Sequence, residues 1–142
     1  MLKLKTDFTK IQKTLAELTE QTGQNLWYKV ASRVYTTIVK NIQKGVDVNG
    51  VSFTEYTPSY KKYRTKQGLG LKVNLQLSSN MFRSITIEAD ENGFVIFVSG
   101  YDNNNKAQWV QDKGRVFLDW GTETIRAFEK AIEREINDVF KG

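Results

Sequence analysis

Leu75-Gln76-Leu77-Ser78-Ser79-Asn80-Met81-Phe82-Arg83-Ser84-Ile85 opens the stretch whose reading decides the fold, and Gly114-Arg115-Val116-Phe117-Leu118-Asp119-Trp120-Gly121 closes it. Between them, Met81, Ile85 and Ile87 lead into a predicted strand over 84 to 90. Asn92-Gly93 is a strong two-residue hairpin signal before the apolar run Phe94-Val95-Ile96-Phe97-Val98. Asp102-Asn103-Asn104-Asn105 reads as an exposed loop. Trp109 and Val110, within Lys106-Ala107-Gln108-Trp109-Val110, then start a segment lying across the sheet, and Arg115 to Leu118 reads as a third strand bounded by Gly114 and Gly121.

On the C-terminal side, Thr122 caps a last helix with Glu123 in its first turn, and Ile125, Phe128, Ile132, Ile136 and Val139 or Phe140 form its apolar stripe. On the N-terminal side, Phe8, Ile11, Leu15 and Leu18 follow steps of three and four. Trp27, Val30, Ala31, Val34, Ile38 and Ile42 do the same after the interruption at Thr22-Gly23. Two helices are predicted, over 7 to 20 and 25 to 43, with Asp7 able to cap the first and Gly45 stopping the second. These faces are core before they are anything else. The expectation is an α+β fold: N-terminal helices and a C-terminal helix packed on a short antiparallel sheet, with a long basic loop, in a single domain spanning 1–142.

A chain of 142 residues has the usual length of one domain. Its hydrophobic content of 39% suffices for a core, while a mean hydropathy of −0.49 implies a large wet surface. No apolar run approaches the roughly 20 residues of a membrane helix, and Met1-Leu2-Lys3-Leu4-Lys5 lacks the apolar core of a signal peptide, so no membrane partner is expected. The chain has no cysteine and no histidine. That removes disulfides, thiol nucleophiles, the usual zinc ligands and the commonest proton-transfer group near neutral pH. Glu88, Asp90 and Asp119 form no recognisable motif, and a glycosidase would need two carboxyl groups facing each other across a cleft. The expectation is a non-enzyme with no catalytic residue, cofactor or metal.

Gly45-Val46-Asp47-Val48-Asn49-Gly50-Val51-Ser52 has the glycine spacing of a phosphate-binding loop, but Val51 stands where the phosphate-gripping lysine belongs and a helix precedes it. Asp47 and Asn49 hint at calcium, yet Pro58 occupies the position of the closing glutamate of a twelve-residue loop. A turn built on Asn49-Gly50 is the reading left.

The net charge of +5 is concentrated. From Tyr56 to Ile87 there are six bases (Lys61, Lys62, Arg64, Lys66, Lys72 and Arg83) and no acid, so the rest of the chain is close to neutral. Thr57 and Pro58 predict the start of a short helix over 58 to 66, ended by Gly68 and Gly70. Tyr56, Tyr60 and Tyr63 alternate with these cations as in a nucleic-acid surface, although their spacing of four and three also suits inward packing with the lysines solvated. Lys61, Lys62, Arg64, Lys66 and Lys72 are the candidate basic loop, able to touch DNA weakly.

The order of these elements resembles phage virion morphogenesis and tail completion proteins over roughly residues 35 to 140. The resemblance rests on the helix ending at Asn41-Ile42, the glycine turn with Phe53 and Tyr56-Thr57, the basic segment, and the Leu75 to Ile85 element. It extends to Lys106-Ala107-Gln108-Trp109-Val110-Gln111 and Gly114-Arg115-Val116-Phe117-Leu118. Ser78-Ser79 stands where the family usually has threonine-glycine, and the segment around Ala107 lacks a frequent histidine. The subfamily therefore stays open between tail completion, head-tail joining and tail terminator proteins. The resemblance implies a virion structural protein, present in the host cytoplasm during assembly, whose partners are copies of itself in a ring and the connector and tail-tube proteins. Such a protein needs exposed aromatic anchors and loops that order on assembly. Phe82, Trp109, Trp120 and the loop from Arg64 to Asn74 are the candidates.

Overall fold

A computed structural model describes residues 3–5, 23–70 and 83–141. The predicted helix over 7 to 20 lies outside the described residues, as do Lys72 and Phe82. The described elements are β1 (Lys3–Lys5), α1 (Gly23–Lys44), α2 (Pro58–Lys66), β2 (Ile85–Asp90), β3 (Gly93–Val98), α3 (Tyr101–Asp112) and α4 (Thr122–Lys141). Helices packed on a three-stranded antiparallel sheet make this an α+β fold.

The sheet has the order β1-β3-β2, so β3 is central. Opposed residues share a face, and the pairs Leu4↔Ile96, Ile85↔Val98, Ile87↔Ile96 and Ala89↔Phe94 put one apolar set on one side. Leu4, Ile85, Phe94, Ile96 and Val98 on that side are buried. α1 supplies the other half of the core. Trp27, Val30, Ala31, Val34, Ile38 and Ile42 recur at helical spacing and are buried in one cluster with the sheet residues. Each large apolar side chain so covered contributes about 1.5–3 kcal/mol. Four rings from four segments meet there: Trp27 stacks on Phe128 at 6.4 Å between centroids, and Trp120 stands edge-on to Phe128 at 5.5 Å and to Phe94 at 6.3 Å.

α1 ends as its sequence predicts. Gly45 has φ +78°, its amide donates to Ile42 O at 3.0 Å, and the Val46 amide donates to Asn41 O at 3.0 Å, which is the paired bonding of a glycine-terminated helix. The turn that follows is closed by an isolated Val46↔Ser52 bridge and by Asp47 Oδ1, which accepts from the amides of Asn49 (2.8 Å) and Val51 (3.0 Å). Gly50 supplies the positive φ, +79°. The turn has a tertiary use as well. Asn49 Oδ1 accepts from the Thr122 amide at 2.9 Å and Val48 O accepts from the Glu123 amide at 2.8 Å, so the orphan donors at the start of α4 are capped from outside the helix. Thr124 completes the joint: its Oγ1 accepts from the Gly121 amide and donates to Asp119 O, both at 2.8 Å.

Four expectations are corrected. The hairpin turn is Glu91-Asn92, one residue earlier than Asn92-Gly93, because Asp90 pairs with Gly93 and Asp90 Oδ1 accepts from the amides of Asn92 (2.7 Å) and Gly93 (3.1 Å). Asp102-Asn103-Asn104-Asn105 is the first turn of α3 rather than a loop. Asx residues compete with helix interiors but not with a first turn, and Asn103 Nδ2 donates to Ser84 Oγ at 2.7 Å, tying that turn to the residue before β2. Arg115 to Leu118 is not a strand. Gln111 Oε1 accepts from the amides of Phe117 (3.1 Å) and Leu118 (2.8 Å), so a side chain bonds the backbone where a neighbouring strand would, and the third strand is β1. On α4, Ile125 is exposed and the buried line runs through Thr124, Ala131 and Glu135. Phe128, Ile132 and Ile136 are half-buried beside it.

Candidate interaction surfaces

α2 forms as its sequence predicts, with Thr57 as cap accepting from the Tyr60 amide at 3.3 Å and Pro58 in the first turn. The tyrosines form a ladder along it: Tyr56 meets Tyr60 edge-on at 4.9 Å, and Tyr60 stacks on Tyr63 at 5.9 Å. Arg64 is the correction. Expected among the bases of an open loop, it is only 5% exposed, with its guanidinium 4.8 Å from the Tyr56 ring centroid and its Nε donating to Gly70 O at 2.6 Å. Arg115 lies 5.2 Å from the same centroid and donates from Nε to Thr54 O at 3.2 Å. Tyr56 thus has two guanidinium groups close to its ring. Burial pushes its phenol above the ordinary tyrosine value and Tyr60 adds to that, while Arg64 and Arg115 oppose it.

Lys61 is also engaged, since its Nζ donates to Glu55 Oε2 at 2.9 Å. That hydrogen bond, and then the Lys61 charge, hold the Glu55 carboxyl below its usual range. Among the bases and tyrosines of α2, Lys62, Lys66 and Tyr63 are exposed, the last 52%. The run of bases was legible; which of them would be spent on internal partners was not.

The aromatic candidates separate. Trp109, in the last turn of α3, is 59% exposed, and Lys113 Nζ lies 5.5 Å from its ring centroid. Ala107 on the same helix is buried and Val110 is half-buried against the core, which fixes the face that α3 buries. Trp120 belongs to the four-ring cluster and packs, half-buried, against the core.

Two grooves flank α1. One, of about 580 Å³, runs between α1 and α4 and carries Arg33, Lys40, Lys130 and Arg134 over Ala127 and Ala131. The other, of about 600 Å³, lies between the start of α1 and the hairpin, where Gln24 and Tyr28 face Glu88 and Asp90. The cationic groove is not a run in the sequence, because its bases come from two helices ninety residues apart. Their spacing, seven on α1 and four on α4, was the available signal.

Among the described residues, no group of three or more Asp or Glu side chains is placed to hold a metal, and no helix is long and apolar enough to cross a membrane. Compared with protein-family models, with curated proteins and with solved structures, the chain matches none of them.

Proposed function

We propose that this chain is a structural protein of a phage or prophage head-tail junction, a tail completion or neck ring component that acts by assembly and not by catalysis. Trp109 carries the reading. An indole 59% exposed on an ordered helix is the residue type that most often anchors a protein interface, and it lies in the segment between the hairpin and the closing element that contributes to the resemblance to tail completion proteins. Deleting the coding gene from the phage or prophage that carries it, followed by electron microscopy of the lysate, tests the proposal. Full heads and unattached tails are the expected result. Intact virions would overturn it.

A second reading, a nucleic-acid-binding module, is favoured by Lys62, Lys66 and Tyr63, which stand open on α2. Titration with DNA duplexes distinguishes the two, because tight and sequence-selective binding at physiological salt would displace the assembly reading.

A further inference from the structure

We propose that the two grooves flanking α1 bind each other between copies of this chain, the acidic hairpin of one copy seated in the cationic groove of the next. The cationic groove brings Arg33 and Lys40 of α1 within one concavity with Lys130 and Arg134 of α4, and adds the hydroxyls of Thr36 and Thr37 without any lining carboxylate. The opposite charge is on the same chain. From Ser84 to Asn105 there are four acids, Glu88, Asp90, Glu91 and Asp102, and no base, and Glu88 and Asp90 line the groove beside Tyr28. Tyr28 is 53% exposed, giving the acidic side an aromatic that an incoming guanidinium can cover.

One molecule cannot close these charges on itself. At about 100° per residue, Gln24 and Tyr28 point about 150° from the stripe of Arg33 and Lys40 around the exposed side of α1, and about 210° from it around the buried side that carries Trp27, Val34 and Ile38. Unlike surfaces on opposite flanks give a heterologous contact, and its repetition produces a ring or a filament. A second copy suits the groove better than a nucleic acid does. A duplex carries about one charge per 1.7 Å and would run on over Glu129 and Glu133, exposed on α4 next to the groove bases, whereas a hairpin tip ends within the groove. The identity of the occupant rests on the ring reading above; the charge pairing does not.

The test uses the full chain in sedimentation velocity over a concentration series at low and high salt. It compares wild type with Arg33→Glu/Lys130→Glu, with Glu88→Lys/Glu91→Lys, and with all four changes combined. Asp90 is left in place because it closes the hairpin turn. Wild type should associate at low salt and come apart at high salt, each reversed pair should need about tenfold more protein or higher to associate, and the fourfold variant should recover. The two reversed variants should also associate with each other when mixed. Circular dichroism checks that each is folded, and Arg33→Ala/Lys130→Ala, which adds no charge, should show a smaller loss in the same direction. Association that none of the reversals changes would overturn the pairing and leave the ring reading standing on another surface. A wild type that stays monomeric throughout would overturn both. Loss of duplex DNA binding in the groove variant with self-association unchanged would make the groove a nucleic-acid surface instead.

Discussion

A methyl group at position 121 would lie 2.6 Å from Val48 Cγ2 and 2.7 Å from both Val48 O and Asn49 Oδ1, the atoms that cap α4. Two of these contacts involve no flexible side-chain end that could swing away, so Gly121→Ala has to push the turn off the helix. Overpacking and loss of the cap together should cost about 2–4 kcal/mol, seen as a lower Tm in calorimetry; an unchanged Tm would show that the joint yields freely. The two tryptophans should part company in the same measurement. Trp120→Ala removes a half-buried ring packed against the core and should cost about 2–3 kcal/mol, less than the loss of a fully buried aromatic, while Trp109→Ala should stay within about 0.5 kcal/mol and lose incorporation into particles. A Trp109→Ala chain that assembles normally would remove the anchor on which the proposed function rests. Tyr56 makes a pH prediction. Its folded phenol holds its proton to higher pH than the unfolded one, so its contribution is complete below about pH 10 and is lost as pH rises through the folded value. Tyr56→Phe keeps the ring beside the two guanidinium groups and should flatten the loss of stability above about pH 10; an alkaline limb as steep as wild type would contradict the assignment.

At the level of elements, Gln111 does the work that pairing does elsewhere. Its single carboxamide oxygen takes two backbone donors of the segment from Arg115 to Trp120, and Phe117 and Leu118 are both buried. Gln111→Ala should leave those amides without their acceptor and cost about 1–3 kcal/mol by chemical denaturation, whereas Gln111→Glu, which keeps an acceptor oxygen, should cost less. Equal losses in the two variants would mean that packing, not the hydrogen bonds, holds the segment. This element also shows where sequence reading stops. Val116, Phe117 and Leu118 have the composition of a strand, and only the tertiary placement shows that Gln111 takes the Phe117 and Leu118 amides while Val116 O accepts from the Val48 amide. The asparagines at 103 to 105 mislead in the opposite direction, because the same residue types favour turns and helix starts alike.

For the molecule as a whole, the consequential difference is the fate of its charge. Five clustered bases would release several counterions from DNA, but Lys61 is paired, Arg64 is buried, and Lys62 and Lys66 are what α2 leaves open among the described residues. If α2 alone touched DNA, the logarithm of affinity should fall with the logarithm of salt at a slope of about −2, measured by titration at several salt concentrations. A slope twice as steep or more would bring other bases, such as those of the α1–α4 groove, into the contact. The amino-acid sequence by itself determined the α+β class, the span and stop of α1, the capped helix α2, the hairpin and the last helix. Each of these follows from local periodicity, a capping residue or a glycine, and these act over a few neighbouring positions. Only the tertiary structure decided that β1 completes the sheet, that Arg64 turns inward to Tyr56, that Trp120 is core while Trp109 is exposed, and that Arg33 and Lys40 share a groove with Lys130 and Arg134. Those outcomes depend on which distant surfaces meet, because burial and charge pairing are properties of what lies across the contact and not of the residue or its neighbours in the chain.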